Sequence, residues 1–305
     1  MNPMINHAVK AIICDEDGRF LLQKRDTVEG LPFSGCWNFF GGLVDPYEEI
    51  GQALTRELKE ELNIDIHETG KEIFCWKYKE NWYTTFNHFF YIHNKVDKDK
   101  ITLNEGAGMG WFHLHEIVTL DLTPAVYENY GRVISSCAPS SEKILPGIEN
   151  ALLEKCGIIK KNDRVYYARK NPFGLSRQTM GLFKELAILK DLPVVRICLH
   201  DTDASDVHEM LMIHAKPHSV GPLKQLKTSL SYHVIDGTLG IFLYDDAGNK
   251  TNEYRVSNDQ SIPGSVSSIR LNAAEFRSVK NISQTAIFLE VASGPFKDDD
   301  TIWLS

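Results

Sequence analysis

Two hydrophobic periods divide this chain. In residues 41–64, "GGLVDPYEEIGQALTRELKEELNI", Ile50, Ala53, Leu54, Leu58 and Leu62 recur at helical spacing and predict an amphipathic helix behind a turn. Upstream, "AVKAIICDEDGRFLLQKRD" reads as two strands around an Asp17-Gly18 turn, and "CWNFFGG" as an extended lead into the helix. Downstream, "IFCWKYKENWYTTFNHFFYIHN" is aromatic and β-branched enough for a strand pair. "TPAVYENYGRVI" predicts a helix with Thr123 as N-cap and Pro124 at the first position. After "SSCAPSSEKILPG", small, polar and proline-bearing, comes one more helix, "SRQTMGLFKELAILK", capped by Ser176. From residue 194 the texture changes to short strands, "VVRICLH", "HEMLMIHA", "SYHVIDG", "TLGIFLYDD" and "AIFLEVA", which predict a small antiparallel sandwich or barrel.

The 305 residues favour two domains over one. The expected division is 1–138, a linker at 139–147, and 148–305. No apolar run approaches a membrane span, and the first twenty residues lack a secretory signal pattern. Cys14, Cys36, Cys75, Cys137, Cys156 and Cys198 show no CxxC spacing, which fits free thiols in a reducing cytoplasm. Of the net charge of −8, residues 1–140 hold all: 13 Lys+Arg against 21 Asp+Glu, leaving 20 against 20. An acidic first half argues against a nucleic-acid polymer as partner.

The polar face of the first helix carries the chemistry. Glu57, Glu60 and Glu61 stand at i, i+3 and i+4, where like charges each cost about 0.2–0.5 kcal/mol. A bound divalent cation turns that repulsion into coordination, since Mg²⁺ takes carboxylate oxygens together with waters and phosphates. Arg56 can pair with a carboxylate, while Gly41 and Gly42 allow a tight bend that brings a carbonyl close.

Gly42, Glu48, Arg56, Glu57, Leu58, Glu60, Glu61 and Ile64 match the spacing of the Nudix box, and residues 5–135 resemble that family. The departure is Asn63 where the family has Gly, and Asn tolerates the left-handed backbone of a helix C-cap. The resemblance implies an α/β/α sandwich and Mg²⁺- or Mn²⁺-dependent hydrolysis of a nucleoside diphosphate linked to another group. It implies Glu57, Glu60 and Glu61 as metal ligands with the Gly42 carbonyl. Glu48 is expected to steady the loop, and Glu60 or Glu105 to act as general base. The segment before the box resembles Nudix enzymes acting on purine nucleoside triphosphates, so Asn38 is expected to read a base with Trp37 in support. Trp82, Tyr83 and Phe86 are expected to stack a base, and Lys24 and Arg25 end a strand near the phosphates.

Residues 155–305 resemble the WbuC-type cupin-fold family through "RICLHDTDASDVHEMLMI", "SYHVIDGTLGIFLYDDAGN" and "FLEVASGPF". That resemblance implies an all-β cupin barrel with an N-terminal extension of helix and strand. The family's metal ligands fall here on Leu223, Gln225, Leu230 and Arg277, which are poor or impossible ligands. The barrel is therefore expected to hold no metal, with His200, His208, Glu209 and His233 lining its mouth. His214 and His218 form no helical metal pair.

The reading that follows is a cytoplasmic two-domain protein without membrane contact, an Mg²⁺-dependent pyrophosphohydrolase joined to a metal-free cupin that serves binding or homodimerisation. Its small-molecule substrate is expected to be a nucleotide sugar, after the company the cupin family keeps. The alternatives are a nucleoside triphosphate pyrophosphatase and a non-catalytic nucleotide or sugar sensor.

Overall fold

The computed structural model describes residues 4–66, 70–80, 83–92, 96–137, 141–169, 172–259, 261–295 and 300–304. The chain divides into two compact units, Met1–Leu152 and Leu153–Ser305.

In the first unit β1 (Met4–Ile13), β2 (Phe20–Lys24) and the short β3 (Trp37–Asn38) precede α1 (Ile50–Leu62). Then come β4 (Glu72–Lys79), β5 (Tyr83–Ile92) and β6 (Gly108–Phe112). A mixed sheet runs β1-β5-β4, with β1 parallel to β5, and an antiparallel one runs β3-β2-β6. Residues 40–44 run along β1: Val9 N donates to Gly42 O and Ala11 N to Phe40 O, both at 2.9 Å. This pairing ties the segment before α1 to the sheet.

The helical stripe falls where the periodicity places it. Ala53, Leu54, Leu58 and Leu62 are buried against Val9, Ala11, Ile13, Phe90 and Ile92, with Ile50 at the margin. Each large apolar side chain buried this way contributes about 1.5–3 kcal/mol. Asn63 ends α1 in the left-handed region, φ 55° and ψ 31°. On the opposite face of the mixed sheet, Phe74 stacks on Phe89 at 4.4 Å and Arg132 lies over the Phe74 ring. Helices thus cover both faces.

The helix expected from Thr123 is broken. α2 (Leu114–Ile117) is followed by α3 (Pro124–Tyr127) and α4 (Tyr130–Cys137), with Asn129 fully buried at the break. Thr123 takes the N-cap backbone conformation, but its hydroxyl donates to Asn38 Oδ1 at 2.8 Å instead of capping the helix. The expected linker also differs. Residues 139–140 lie outside the described residues, and from residue 141 the chain is helical as α5 (Ser141–Cys156), despite Pro146. Ile148 and Leu152 are buried one turn apart and anchor that helix more firmly than its polar composition suggests.

The second unit is rich in strand. β7 (Ile158–Asn162) and β8 (Val165–Ala168) form a hairpin, and α6 (Arg177–Leu189) follows, with Ser176 Oγ accepting from Thr179 N. Next come β9 (Val194–Cys198), β10 (Val207–His214), β11 (Ser219–Gln225) and β12 (Leu230–Asp236). β13 (Thr238–Tyr244), β14 (Lys250–Ser257), β15 (Ser268–Leu271), β16 (Phe276–Asn281), β17 (Ala286–Ser293) and β18 (Thr301–Trp303) complete it. One sheet runs β15-β12-β17-β10-β9-β8-β7 and the other β14-β13-β16-β11-β18. β8 and β9 pair in parallel, which α6 makes possible by carrying the chain back to the starting end. Leu230, Tyr232 and Phe288 of one sheet share a core with Leu239, Ile241 and Val279 of the other. Against the expected barrel, strand pairing among the described residues does not close into a ring. No helix among them is long and apolar enough to cross a membrane.

His214 gives this unit an acid sensitivity. It is buried, its Nδ1–H meets Asn281 Oδ1 at 2.6 Å, and Asn281 Nδ2 donates to Lys216 O. Burial lowers its pKa to about 4, against the Asn281 hydrogen bond and alongside the neighbouring His218. A folded-state pKa below the unfolded 6.5 gives stability that is complete above pH 6.5 and falls away toward pH 4. The expected loss is about 3 kcal/mol in all, at no more than about 1.4 kcal/mol per pH unit. In urea unfolding of the full chain, His214→Gln should therefore flatten the drop in midpoint between pH 7 and pH 5. An unchanged drop assigns the acid sensitivity elsewhere.

Candidate active site

The site is built on α1 and on the strand edge that faces its acidic side. Arg56 is the hub. Its Nε and Nη2 each meet a Glu48 oxygen at 2.9 Å, Nη1 donates to Glu57 Oε1 at 2.8 Å and Glu60 Oε2 at 3.1 Å, and Nη2 donates to Leu43 O at 3.0 Å. Glu48 also accepts from Asp45 N, and the Arg56 guanidinium holds its carboxyl below the usual range. The loop before the helix is thus fastened to the helix by one side chain.

Gly41 is sterically required, and Gly42 makes room for a carboxylate. Gly41 has φ +114°, and a Cβ there would meet Val9 O at 2.4 Å. A Cβ on Gly42 would lie 2.6 Å from both Glu57 oxygens, so that carboxylate rests directly against the glycine backbone. The Gly42 carbonyl accepts from Val9 N.

The three glutamates do not all take the same partners. Glu57 and Glu60 share Arg56 Nη1, with Glu60 about half exposed. Glu61 lies on the border of the buried stripe and turns inward. Its Oε2 accepts from Gly41 N at 2.7 Å and its Oε1 from Gln23 Nε2 at 2.9 Å. Burial pushes the Glu61 carboxyl up, opposed by the Lys10 charge and these hydrogen bonds.

Glu105 comes to the same end of the helix by loop stitching. Asn104 Nδ2 donates to Glu60 O, Asn104 N to Glu61 O, and Gln23 Nε2 also reaches Glu105 O. The Glu105 side chain is exposed beside this seam.

A cleft of about 310 Å³ opens on the face of the mixed sheet away from α1, lined in part by Asn6, Lys10, Arg25, Asn38, Tyr83 and Asn87. Asn38 is buried and its oxygen is engaged by Thr123, so its amide N–H groups are what it offers a ligand. Arg25 Nε is buried with no hydrogen-bond partner among the described residues. Trp37 packs edge-on against Phe112 at 4.8 Å and is not part of the lining. Lys24 pairs through its backbone with Trp37 and Gly108. Phe86 lies on the opposite face, stacked on His7. Trp82 is outside the described residues. Trp76 and Tyr78 line the cleft although the sequence did not single them out, because strand parity on β4 becomes visible only with its register.

Lys10 was also missed. Its signal was a single lysine inside the apolar run "AVKAII". The side chain is buried, and Nζ donates to Gly41 O at 2.7 Å. Burial brings its pKa down to about 8, with Glu61 and Glu57 acting the other way and Arg25 adding to the decrease. Lys10 and Arg25 set two cations at the cleft, neither with a carboxylate within 4.0 Å among the described residues.

In the second unit His200 and His208 come together, with rings 4.2 Å apart. His200 Nδ1 contacts Glu209 O and His208 Nε2 contacts Asp203 O. His233 does not join them. Leu230 and His208 both register with Ala292, so His233, three residues along β12, faces the other side of the sheet. Arg277 is buried and donates to Gln225 Oε1 at 2.7 Å.

Residues 4–134 match the family model of the NUDIX domain, which supports a Nudix domain in this part of the chain. Nudix domains are hydrolases acting on pyrophosphate bonds, and they generally use Mg²⁺ or Mn²⁺. The chain is 46% identical over 57 residues to a CTP pyrophosphohydrolase of Escherichia coli strain K12, covering 19% of this chain and 41% of that protein. It is 37% identical over 75 residues to nucleoside triphosphatase NudI of Escherichia coli, covering 24% and 51%. The chain thus spans about half the length of the curated relatives it matches. Among solved structures, the MutT protein from Methanosarcina mazei Go1 is 22% identical, covering 45% of this chain and 97% of that one at a TM-score of 0.39.

The donor set suits a hard cation. Glu57 and Glu60 offer carboxylate oxygens on one side of Arg56, and the Gly42 backbone leaves room for Glu57 that any side chain would fill.

Lys10 gives a stability test that needs no substrate. A depressed folded-state pKa means that stability from this position is present above pH 10.5 and lost as pH falls through about 8. Lys10→Met should be about 2 kcal/mol more stable than the parent at pH 7, after deducting the lost Gly41 hydrogen bond. The advantage should shrink between pH 8 and 10.5. Equal stabilities at pH 7 contradict the assigned cost of burying this charge.

Proposed function

We propose that the N-terminal unit hydrolyses a phosphoanhydride bond of a nucleoside phosphate, with Mg²⁺ or Mn²⁺ held by Glu57 and Glu60. The observation that carries the reading is the Arg56 hub, which holds Glu57 and Glu60 through one nitrogen with Glu57 against Gly42, and which bonds to Leu43, a residue that also lines the cleft bearing Lys10 and Arg25. Arg25 and Lys10 are suited to the phosphates, and Asn38 and Tyr83 to the nucleoside. A bound divalent cation would supply charge neutralisation at the phosphate oxygens and make the attacking water more acidic. Water oxygen bonds to phosphorus, the bridging P–O bond breaks, and a carboxylate takes the proton. Glu60 and Glu105 are exposed bases for that step. Glu61, buried and raised in pKa, is a third.

A nucleoside triphosphate is the preferred substrate class, because the relatives matched around the box are a CTP pyrophosphohydrolase and a nucleoside triphosphatase. A nucleotide sugar is the second reading, supported by the resemblance of residues 155–305 to cupins of surface-polysaccharide clusters. In that reading the second unit is a metal-free cupin-like module for sugar binding or pairing.

The test is Mg²⁺-dependent turnover by the full chain across nucleoside triphosphates and nucleoside diphosphate sugars. Triphosphates should be cleaved to monophosphate and pyrophosphate with the higher kcat/KM. Preference for the sugars reverses the substrate assignment. Glu57→Gln and Glu60→Gln should each lower kcat by about 10²-fold or more, and parental rates in both would remove these carboxylates from the chemistry.

A further inference from the structure

The mixed sheet carries a second cluster of ligand-type side chains, on the strand pair β4–β5 and sharing no residue with the Arg56 hub. Glu72, Cys75 and His88 each bring one ligand atom within 4.8 Å of the other two. Cys75 and His88 are cross-strand neighbours in register and so share a face. Glu72 shares it through a bulge. In a regular ladder it would stand opposite Tyr91 with its side chain on the far side, but the register shifts between Glu72 and Phe74 and sets it opposite Phe90. Phe90 lies on the His88 side of β5, so the extra residue re-aims the carboxylate. Glu72 Oε2 then lies 3.0 Å from His88 Nδ1.

The other ring nitrogen is held as well. His88 Nε2 is 3.0 Å from His7 Nδ1, and the rings stack at 5.3 Å. Without a cation Nδ1–H is placed to donate to Glu72; with one, Nε2–H can donate to His7 Nδ1 and free His88 Nδ1 toward Glu72 and Cys75. Metal-bound histidines are commonly oriented in this way by their other nitrogen.

We propose that Glu72, Cys75 and His88 bind a zinc-class divalent cation, with His7 as the positioning residue and water in the remaining place. One thiolate, one imidazole and one carboxylate make a borderline-soft set that favours Zn²⁺ over Mg²⁺. The all-oxygen set beside Arg56 has the opposite preference. Tetrahedral zinc holds its ligand atoms about 3.3–3.8 Å apart at ordinary bond lengths, so partly exposed side chains need to close by about 1 Å. On binding, the Cys75 thiol proton leaves to solvent and the sulfur becomes the anionic ligand. The site would clamp β4, an edge strand, onto β5.

Cobalt as spectroscopic substitute tests this on the full chain without nucleotide. One equivalent of Co²⁺ should produce a thiolate-to-cobalt charge-transfer band that Zn²⁺ abolishes and excess Mg²⁺ leaves in place. Cys75→Ser should lose the band, and His88→Gln should weaken binding at least tenfold. His7→Phe, which keeps all three ligands, should weaken it by about 10–100-fold. Far-ultraviolet circular dichroism of each variant verifies that the fold is kept. Absence of the band, or a band that survives Cys75→Ser, overturns the proposal. Neither result depends on the hydrolase reading, because the glutamates of α1 carry no sulfur.

Discussion

The Arg56 guanidinium organises the N-terminal unit. Five polar contacts leave it for Glu48, Glu57, Glu60 and Leu43. A planar fork with fixed donors is suited to this, and a lysine at the same place would be a point charge with no comparable geometry. Four carboxylates, Asp45 at 3.8 Å being the farthest, crowd one cation, so the cluster as it stands carries excess negative charge. That excess is what makes it receptive to a further cation, and the loop bearing Gly41 and Gly42 is fastened to the helix by the same side chain that arranges the acids.

The site also concentrates buried charge on the sheet side. Glu61 and Lys10 are both turned inward, each bonded to the Gly41 backbone, one through its N–H and the other through its carbonyl. Gly41 is thereby held between an acid and a base. Its positive φ and its contact with Val9 leave no room for a side chain, so the polar grip on its peptide groups defines the path of the chain there.

Much of this was legible in the sequence, for definite reasons. The apolar stripe of α1 and the left-handed Asn63 follow from spacing and residue type, and burial and backbone agree with both. The inward turn of Glu61 was not legible. Three glutamates at adjacent helical positions look equivalent until the width of the buried face is known. Composition misled at residues 141–147, where Ile148 and Leu152 hold a helix across a polar, proline-bearing stretch. Several strands of the second unit went unread for lack of alternation. β14 is exposed along most of its length and β7 at all but its first residue. Face assignments needed register, which separates His233 from His208 and flips Glu72 across the sheet.

The parallel pairing of β1 with β5 has a consequence for how the chain is made. The ladder matches Met4 to Tyr83 and Ile13 to Ile92, so the first strand has no partner on that side until the whole intervening segment exists. At about 5–20 residues per second, ribosomal synthesis of that stretch takes on the order of ten seconds. Throughout it the nascent "AVKAII" presents apolar groups that the finished sheet covers. Lys10, at its centre, then interrupts the run with a charge and makes it a poorer seed for self-association.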